Sequence, residues 1–275
     1  MVGVKKVSYI TDQGVGRLNE DQYTVNAKNG VYAVFDGASA IDGYLTDDDK
    51  TGAFLASETA AKLFSQDVSD LQKTILEANH AIDRLQTDHK IDKLDKLHRF
   101  CTTVAAVKLS ANHIEIASLG DSVVLLFGNN GELLHKDPYH DHDQPIMRKW
   151  RKLADHGKTN IRQLINDDLY KLRRQSNISY GVLNGEDEAA KFIKYEKINA
   201  CGAVLILLLT DGMFVPKKDP TVGENWGELY KIYKQGGLKK ILKTVRKLEN
   251  SDPDLLIYPR YKKHDDATGI AIELG

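Results

Sequence analysis

The sequence predicts an α+β fold built on antiparallel sheets. Three observations carry this reading. Strand-like segments outnumber helical ones, and most follow one another without the strand–helix alternation that builds a parallel sheet. The turn dipeptides Ala111-Asn112 and Asn130-Gly131 join neighbouring strands as hairpins. With 275 residues, six prolines, no Ser/Gly-rich linker and no internal repeat, the chain reads as one continuous domain over residues 1–275.

The elements follow in order. Strands are expected over residues 6–10, Gln22–Asn26 and Val31–Phe35, the last an apolar, β-branched run that belongs in a core. A helix over Gly52–Phe64 gathers Phe54, Leu55, Ala56, Ala60, Ala61 and Leu63 on an apolar face. A second opens at Ser69 as N-cap, carries Leu71, Ile75, Ala78 and Ile82 at three- and four-residue steps, and extends toward Ile91, Leu94 and Leu97. Strands are expected over 102–109, 113–118, 122–127 and 132–135. A polar segment over about 136–184 interrupts them, with a helix within 146–166. Strands resume over 192–197 and 204–210. A basic helix spans about 226–248 with a break at Gly236-Gly237, and a strand over 268–274 follows it.

Composition narrows the function. A formal net charge of -1 gives no global field for nucleic acid or membrane. Cys101 and Cys201 are far apart with no CxxC, which argues against a disulfide framework or a structural zinc site; both read as small core residues in strand-like segments. The stretch "MVGVKKVSYI" has no secretory apolar region, and the longest apolar run, 203–209, is too short for a bilayer, so a reducing cytoplasm is the expected location.

Five acidic corners demand an explanation. They are Glu20-Asp21 in "GRLNEDQY", Asp36 in "VFDG", Asp121 in "SLGDSV", Asp211 in "LTDG" and Asp265-Asp266 in "HDDATG". A carboxylate at the mouth of a buried strand is costly alone, and several together repel one another unless cations sit between them. Hard divalent ions with oxygen ligands, Mg²⁺ or Mn²⁺, satisfy such a set. Gly37 and Gly212 would let the chain turn sharply and a metal, water or substrate come close. Each corner alone reads as a turn or a solvated strand start; their combination points to a site. In the last corner Asp265 is assigned to the site and Asp266 to the turn, because neighbours on extended chain point oppositely.

The ordered set "GRLNED", "VFDG", "CTTVAAV", "GDS", "YGVLNGE", "LLTDGMF" and "DDATGIAI" resembles the metal-dependent protein phosphatase family, protein phosphatase 2C, of the bacterial single-domain type, from about Val7 to Ile272. The resemblance implies a four-layer α-β-β-α sandwich of two antiparallel sheets flanked by helices, with a dinuclear Mn²⁺ or Mg²⁺ site at one end and a variable flap at about 136–184. It implies Asp36 as the bridge between two metals, the carbonyl of Gly37 as a ligand of one, and Asp211 and Asp265 as ligands of the other. Glu20 and Asp21 match the pair that binds or orients metal waters, Asp121 the aspartate of a third, weaker ion, and Arg17 the phosphate-holding arginine, a role that suits its planar fork. The implied reaction is hydrolysis of phosphoserine and phosphothreonine in proteins by in-line attack of a metal-bridging hydroxide, without a phosphoenzyme. The implied setting is a monomer that opposes a serine/threonine kinase, with no nucleic acid or membrane partner.

Departures accompany the match. Ala38 stands where many relatives carry a proton-donating histidine, Val123 replaces the arginine of "GDSR", and Cys101 replaces the glycine before Thr-Thr. His135, His140, His142 and His156, with Asp141 and Asp143, read as a solvated loop; an accessory metal site or the missing acid is the alternative. The basic runs 148–152, 171–174 and 239–247 read as solvated helix faces rather than a nucleic-acid groove. A phosphatase of small phosphoesters and a non-catalytic signalling scaffold remain open as alternative functions.

Overall fold

The protein is described by a computed structural model covering residues 3–38, 43–136 and 141–275. The chain runs through β1 (Val4–Asp12), β2 (Gln22–Asn26), β3 (Val31–Phe35), β4 (Gly37–Ala38), α1 (Gly52–Phe64) and α2 (Leu71–Asp88). It continues through β5 (Cys101–Thr102), β6 (Val104–Leu109), β7 (His113–Leu119), β8 (Val123–Phe127) and β9 (Leu133–Lys136). Three helices follow: α3 (Gln144–Asp155), α4 (Ile161–Leu164) and α5 (Asn166–Arg173). The last elements are β10 (Lys194–Asn199), β11 (Leu205–Leu209), α6 (Trp226–Asn250, two helical stretches broken at Gly236-Gly237 as expected) and β12 (Ala267–Leu274).

Two five-stranded sheets, ordered β1-β12-β11-β8-β9 and β10-β7-β6-β3-β2, are antiparallel throughout, and a two-stranded ribbon pairs β4 with β5. Alternate side chains divide the core into layers. Tyr32, Val34, Ala105 and Val107 meet Val124, Leu126, Ile206, Leu208, Ile270 and Ile272 between the sheets. Val31, Ala33, Phe35, Val104 and Ala106 face outward onto Phe64, Leu71, Ile75 and Ile82 of α1 and α2. On the opposite side Val123, Leu125, Leu205, Leu207 and Leu209 pack on Leu229, Ile241 and Val245 of α6. The four-layer α-β-β-α order expected from the resemblance follows. β3, β8 and β11 have both faces covered, which is why they read as unbroken apolar runs.

Several boundaries move for local reasons. The N-cap of α2 is Asp70, not Ser69, and its side chain accepts from the Lys73 N–H at 3.0 Å. That helix stops at Asp88 rather than extending toward Leu97, because Lys90 adopts φ 55° and Ile91 N–H returns to the Gln86 carbonyl at 2.9 Å, a Schellman closure. The expected strand over 102–109 divides into β5 and β6. The helix expected within 146–166 becomes three short ones, the first ending at His156 before Gly157. β10 begins two residues late, after a 3-10 turn over Asp187–Phe192. Cys101 is buried as expected, but Cys201 is exposed in the turn after β10, so it is not a core residue.

Helices α3 to α5 have a small core of their own: Ile146, Trp150, Ile161 and Ile165 pack on Leu255, Leu256 and Tyr261. Among the described residues no helix is long and apolar enough to cross a membrane. Leu208, fully buried between the sheets, tests the layer order: Leu208→Ala should lower the free energy of unfolding in urea by about 2–5 kcal/mol. A loss below about 0.5 kcal/mol, the scale of a surface change, would contradict that placement.

Candidate active site

Two fully buried strands, β3 in one sheet and β11 in the other, end at the same edge of the sandwich and release Asp36 and Asp211 there. Burial, and then the charges of Asp211, Asp21, Asp121 and Asp265, hold the Asp36 carboxyl well above the usual carboxylate range. Burial, then Asp121 and Asp265, do the same to Asp211, while its hydrogen bond with Asp36 opposes the shift. The Asp36 peptide is fixed: its carbonyl accepts from Thr103 N–H and from Thr102 Oγ1, both at 2.8 Å.

The remaining corners reach the same edge by different routes. Asp21 precedes β2 and its Oδ2 accepts from Thr210 Oγ1 at 2.7 Å, which ties it to the end of β11. Burial pushes the Asp21 carboxyl up to about 8, against the Thr210 bond and helped by Asp266 and Asp265. Glu20 Oε1 accepts from Thr51 Oγ1, the N-cap of α1, at 2.6 Å. Asp121 lies where the chain crosses from β7 in one sheet to β8 in the other. Burial raises its pKa while His142 opposes the rise, and its buried Oδ1 has no hydrogen-bond partner among the described residues. Asp36, Asp121 and Asp211 each keep some exposed surface, and Asp121 and Asp211, with Asp265, His142, Tyr261 and Lys262, help to line a cavity of about 170 Å³. They lie deep enough that the charged forms are poorly solvated.

Asp265 and Asp266 part as extended neighbours do. Asp266 turns inward, and its two oxygens accept from Gly14 N–H and Glu20 N–H at 2.7 Å each. Asp265 stays partly open, with Oδ1 accepting from Lys262 Nζ at 2.8 Å.

Other residues stand elsewhere than expected. Arg17 is exposed and paired with Asp49 at 3.0 Å. The glycines admit protein rather than a ligand: a Cβ on Gly37 would lie 2.5 Å from the Glu20 carbonyl, and one on Gly212 would strike the Asp266 carbonyl. Thr102 spends its N–H and C=O on Leu183, so Gly37 faces it without ladder bonds and directs its own carbonyl away from β5. His142 is not in a solvated loop; its ring stacks on Tyr180 at 4.1 Å, and Nε2 lies 3.9 Å from Asp121 Oδ2 and 4.0 Å from Asp143 Oδ1. His135 is on β9, His156 caps α3, and His140 lies outside the described residues. Sequence reasoning passed over Lys262, Tyr261 and Arg173. Arg173, read as part of a solvated basic run, is half-buried beside Cys101, Tyr180 and Asp143.

Among the described residues, no three His, Cys, Asp or Glu side chains close a ready-made cage for one ion. That does not disqualify the carboxylates, because small hard cations keep several waters and take only one or two protein carboxylates each. The donor set fits such ions: all-oxygen, mutually repelling, poorly solvated, and with the Asp121 Oδ1 unpartnered among the described residues.

A sequence profile described as Protein phosphatase 2C matches residues 12–244. The chain belongs to the protein phosphatase 2C family. A sequence search of curated proteins gives no match. Among solved structures, this protein phosphatase 2C chain is similar to the serine/threonine phosphatase Stp1 from Staphylococcus aureus, with 17% identity, TM-score 0.58 and coverage of 100% and 96% of the two chains. It is similar to PstP/Ppp of Mycobacterium tuberculosis, with 17% identity, TM-score 0.56 and 98% of each chain. PppA from Pseudomonas aeruginosa matches with 13% identity, TM-score 0.58 and coverage of 100% and 99%. A further PstP structure, 16% identical over 98% of this chain and 97% of that one with TM-score 0.54, is a complex with two manganese ions. At these identities the likeness is one of fold.

The raised carboxyl pKa values set a pH dependence. In the unfolded chain Asp21 releases its proton near 3.8, in the fold near 8, so the native state binds the extra proton between them and loses stability as pH rises through that window. In EDTA, the melting temperature of Asp21→Asn should fall less steeply than that of wild type between pH 5 and pH 8, a window inside that interval. Parallel profiles would contradict the shift.

Proposed function

We propose that this protein phosphatase 2C chain is a metal-dependent phosphatase of phosphoserine and phosphothreonine in proteins. The observation that carries the proposal is the delivery of Asp36 and Asp211 to one point by buried strands of opposite sheets. In this reading Asp36, the Gly37 carbonyl, Asp211 and Asp265 would hold two divalent cations. Glu20 and Asp21 would orient their waters, and Asp121 would hold a third, weaker ion. Bound Mn²⁺ or Mg²⁺ would supply an activated water and neutralise charge on the phosphoryl oxygens.

The protein's own groups do the rest. Thr102 and Thr103 hold the Asp36 peptide, and Thr210 holds Asp21, so the carboxylates are placed before substrate arrives. Arg17 is assigned to the substrate phosphate. Its exposed pair with Asp49 is worth at most about 1 kcal/mol, so releasing the guanidinium costs little. His142 is assigned to proton donation. Ala38, at the position of the family histidine, packs in a cluster with Tyr180, and the His142 ring stacks on the same tyrosine. The imidazole is therefore joined through Tyr180 to the cluster on which Ala38 packs.

Two measurements test this. With Mn²⁺, Asp36→Asn and Asp211→Asn should each lower kcat/KM on p-nitrophenyl phosphate and phosphopeptides by at least about a hundredfold, the scale of losing one transition-state stabiliser. Turnover untouched by either change, or independent of metal, would refute the mechanism. His142→Gln should cost about 10²-fold or more on alkyl phosphates, which need a proton donor, and little on p-nitrophenyl phosphate. Equal losses on both would remove His142 from that role.

A further inference from the structure

Lys262 is a charged group at the cavity that the phosphatase reading leaves without a role. It lies three residues before Asp265, its side chain is two-thirds buried, and its Nζ is 2.8 Å from Asp265 Oδ1. It lines the cavity with Asp121 and Asp211. Besides Asp265, the carboxyl groups of Glu20 and Asp36 lie near enough to act on the ammonium. It therefore faces the same carboxylates as the assigned metal ligands, from the loop that follows α6.

That loop is firmly anchored. Arg260 donates to Asp252 Oδ2 at 2.9 Å and to the carbonyls of Glu249, Asp252 and Tyr258 at 2.6 to 2.9 Å. Asp252 Oδ1 and Oδ2 accept from the N–H groups of Leu256 and Tyr258. Arg246 donates to the Asp265 carbonyl at 2.7 Å. Both ends of the Lys262 turn are pinned, so its ammonium is delivered to the cluster by design of the loop.

The geometry points to Lys262 as the resident cation of the carboxylate cluster, sharing Asp265 with a divalent ion and setting how tightly that ion is held. The inference rests on the phosphatase reading for the existence of a divalent-cation site at Asp36, Asp211 and Asp265. Its physics is simple. An ammonium hydrogen-bonded to a ligand oxygen occupies a lone pair the metal would use and repels the incoming charge. The same ammonium offsets carboxylate repulsion, so removing it costs the fold while improving the site for the ion.

The test is Mn²⁺ binding, followed by the electron paramagnetic resonance signal of the free ion, for wild type, Lys262→Met and Lys262→Arg. Lys262→Met keeps the aliphatic stem without the charge and should bind at least about tenfold more tightly, whereas Lys262→Arg should stay near wild type. In EDTA, Lys262→Met should melt below wild type, and saturating Mn²⁺ should close or reverse the gap. A purely structural lysine would lower the melting temperature equally with and without Mn²⁺ and leave Kd unchanged. That result, or weaker binding by Lys262→Met, overturns the inference. Lys262→Gln provides a second neutral variant if the methionine form does not fold. Equal binding by wild type and neutral variants removes only the role of Lys262; no binding by any of them removes the phosphatase reading as well.

Discussion

Mutual repulsion among poorly solvated carboxyl groups is the constraint on which the rest of the site depends. Asp21, Asp36, Asp121 and Asp211 each lie where water cannot solvate a charge well, and each feels the charge of at least one other site aspartate. Such an arrangement is unfavourable unless protons, an internal cation or bound metal ions relieve it. The sandwich imposes it all the same, because strand ends from both sheets meet at one edge. The fold supplies the rigidity, and the acidic edge is the place where that rigidity is turned to chemistry.

What holds the edge together is mostly backbone-directed. Asp266 spends both carboxylate oxygens on the N–H groups of Gly14 and Glu20, binding the start of β12 to the approach of β2. Thr102 and Thr103 pin Asp36, Thr210 pins Asp21, and Thr51 couples the Glu20 carboxylate to the start of α1. Cations enter from α6 and the loop after it: Lys262 touches Asp265 directly, while Arg246 of α6 and Arg260 fix that loop. The carboxylates are therefore pre-positioned by the fold, and Lys262 is the cation hydrogen-bonded to one of them.

The layers were legible because β3 and β11 are covered on both faces and leave continuous apolar runs in the sequence. Helix α1 was equally plain from its one-sided apolar pattern. The end of α2 was not, since its stop depends on a left-handed Lys90, a residue type with no marked preference for that conformation. The carboxylates could be named from their positions at strand ends, and the separation of Asp265 from Asp266 follows from extended-chain geometry. Arg17 could be named by resemblance, but its pairing with Asp49 is a tertiary choice between exposed partners. Lys262 and Arg173 were hidden among basic residues that look solvated, and only long-range packing sets them apart. His142 was visible as one of several histidines, but its stacking on Tyr180, 38 residues away in sequence, was not.

In the proposed reading, the fold holds protons on these carboxyl groups and a divalent ion would displace them. Calorimetric titration with Mn²⁺ at pH 7, in buffers of different ionisation enthalpy, counts the protons released on binding. With Asp21 pushed up to about 8 and Asp36 and Asp211 well above their usual range, at least about one proton should leave per protein as the ion enters. Binding with no proton release would contradict the account, because it would mean that the carboxylates are already ionised and that repulsion is not what the ion relieves.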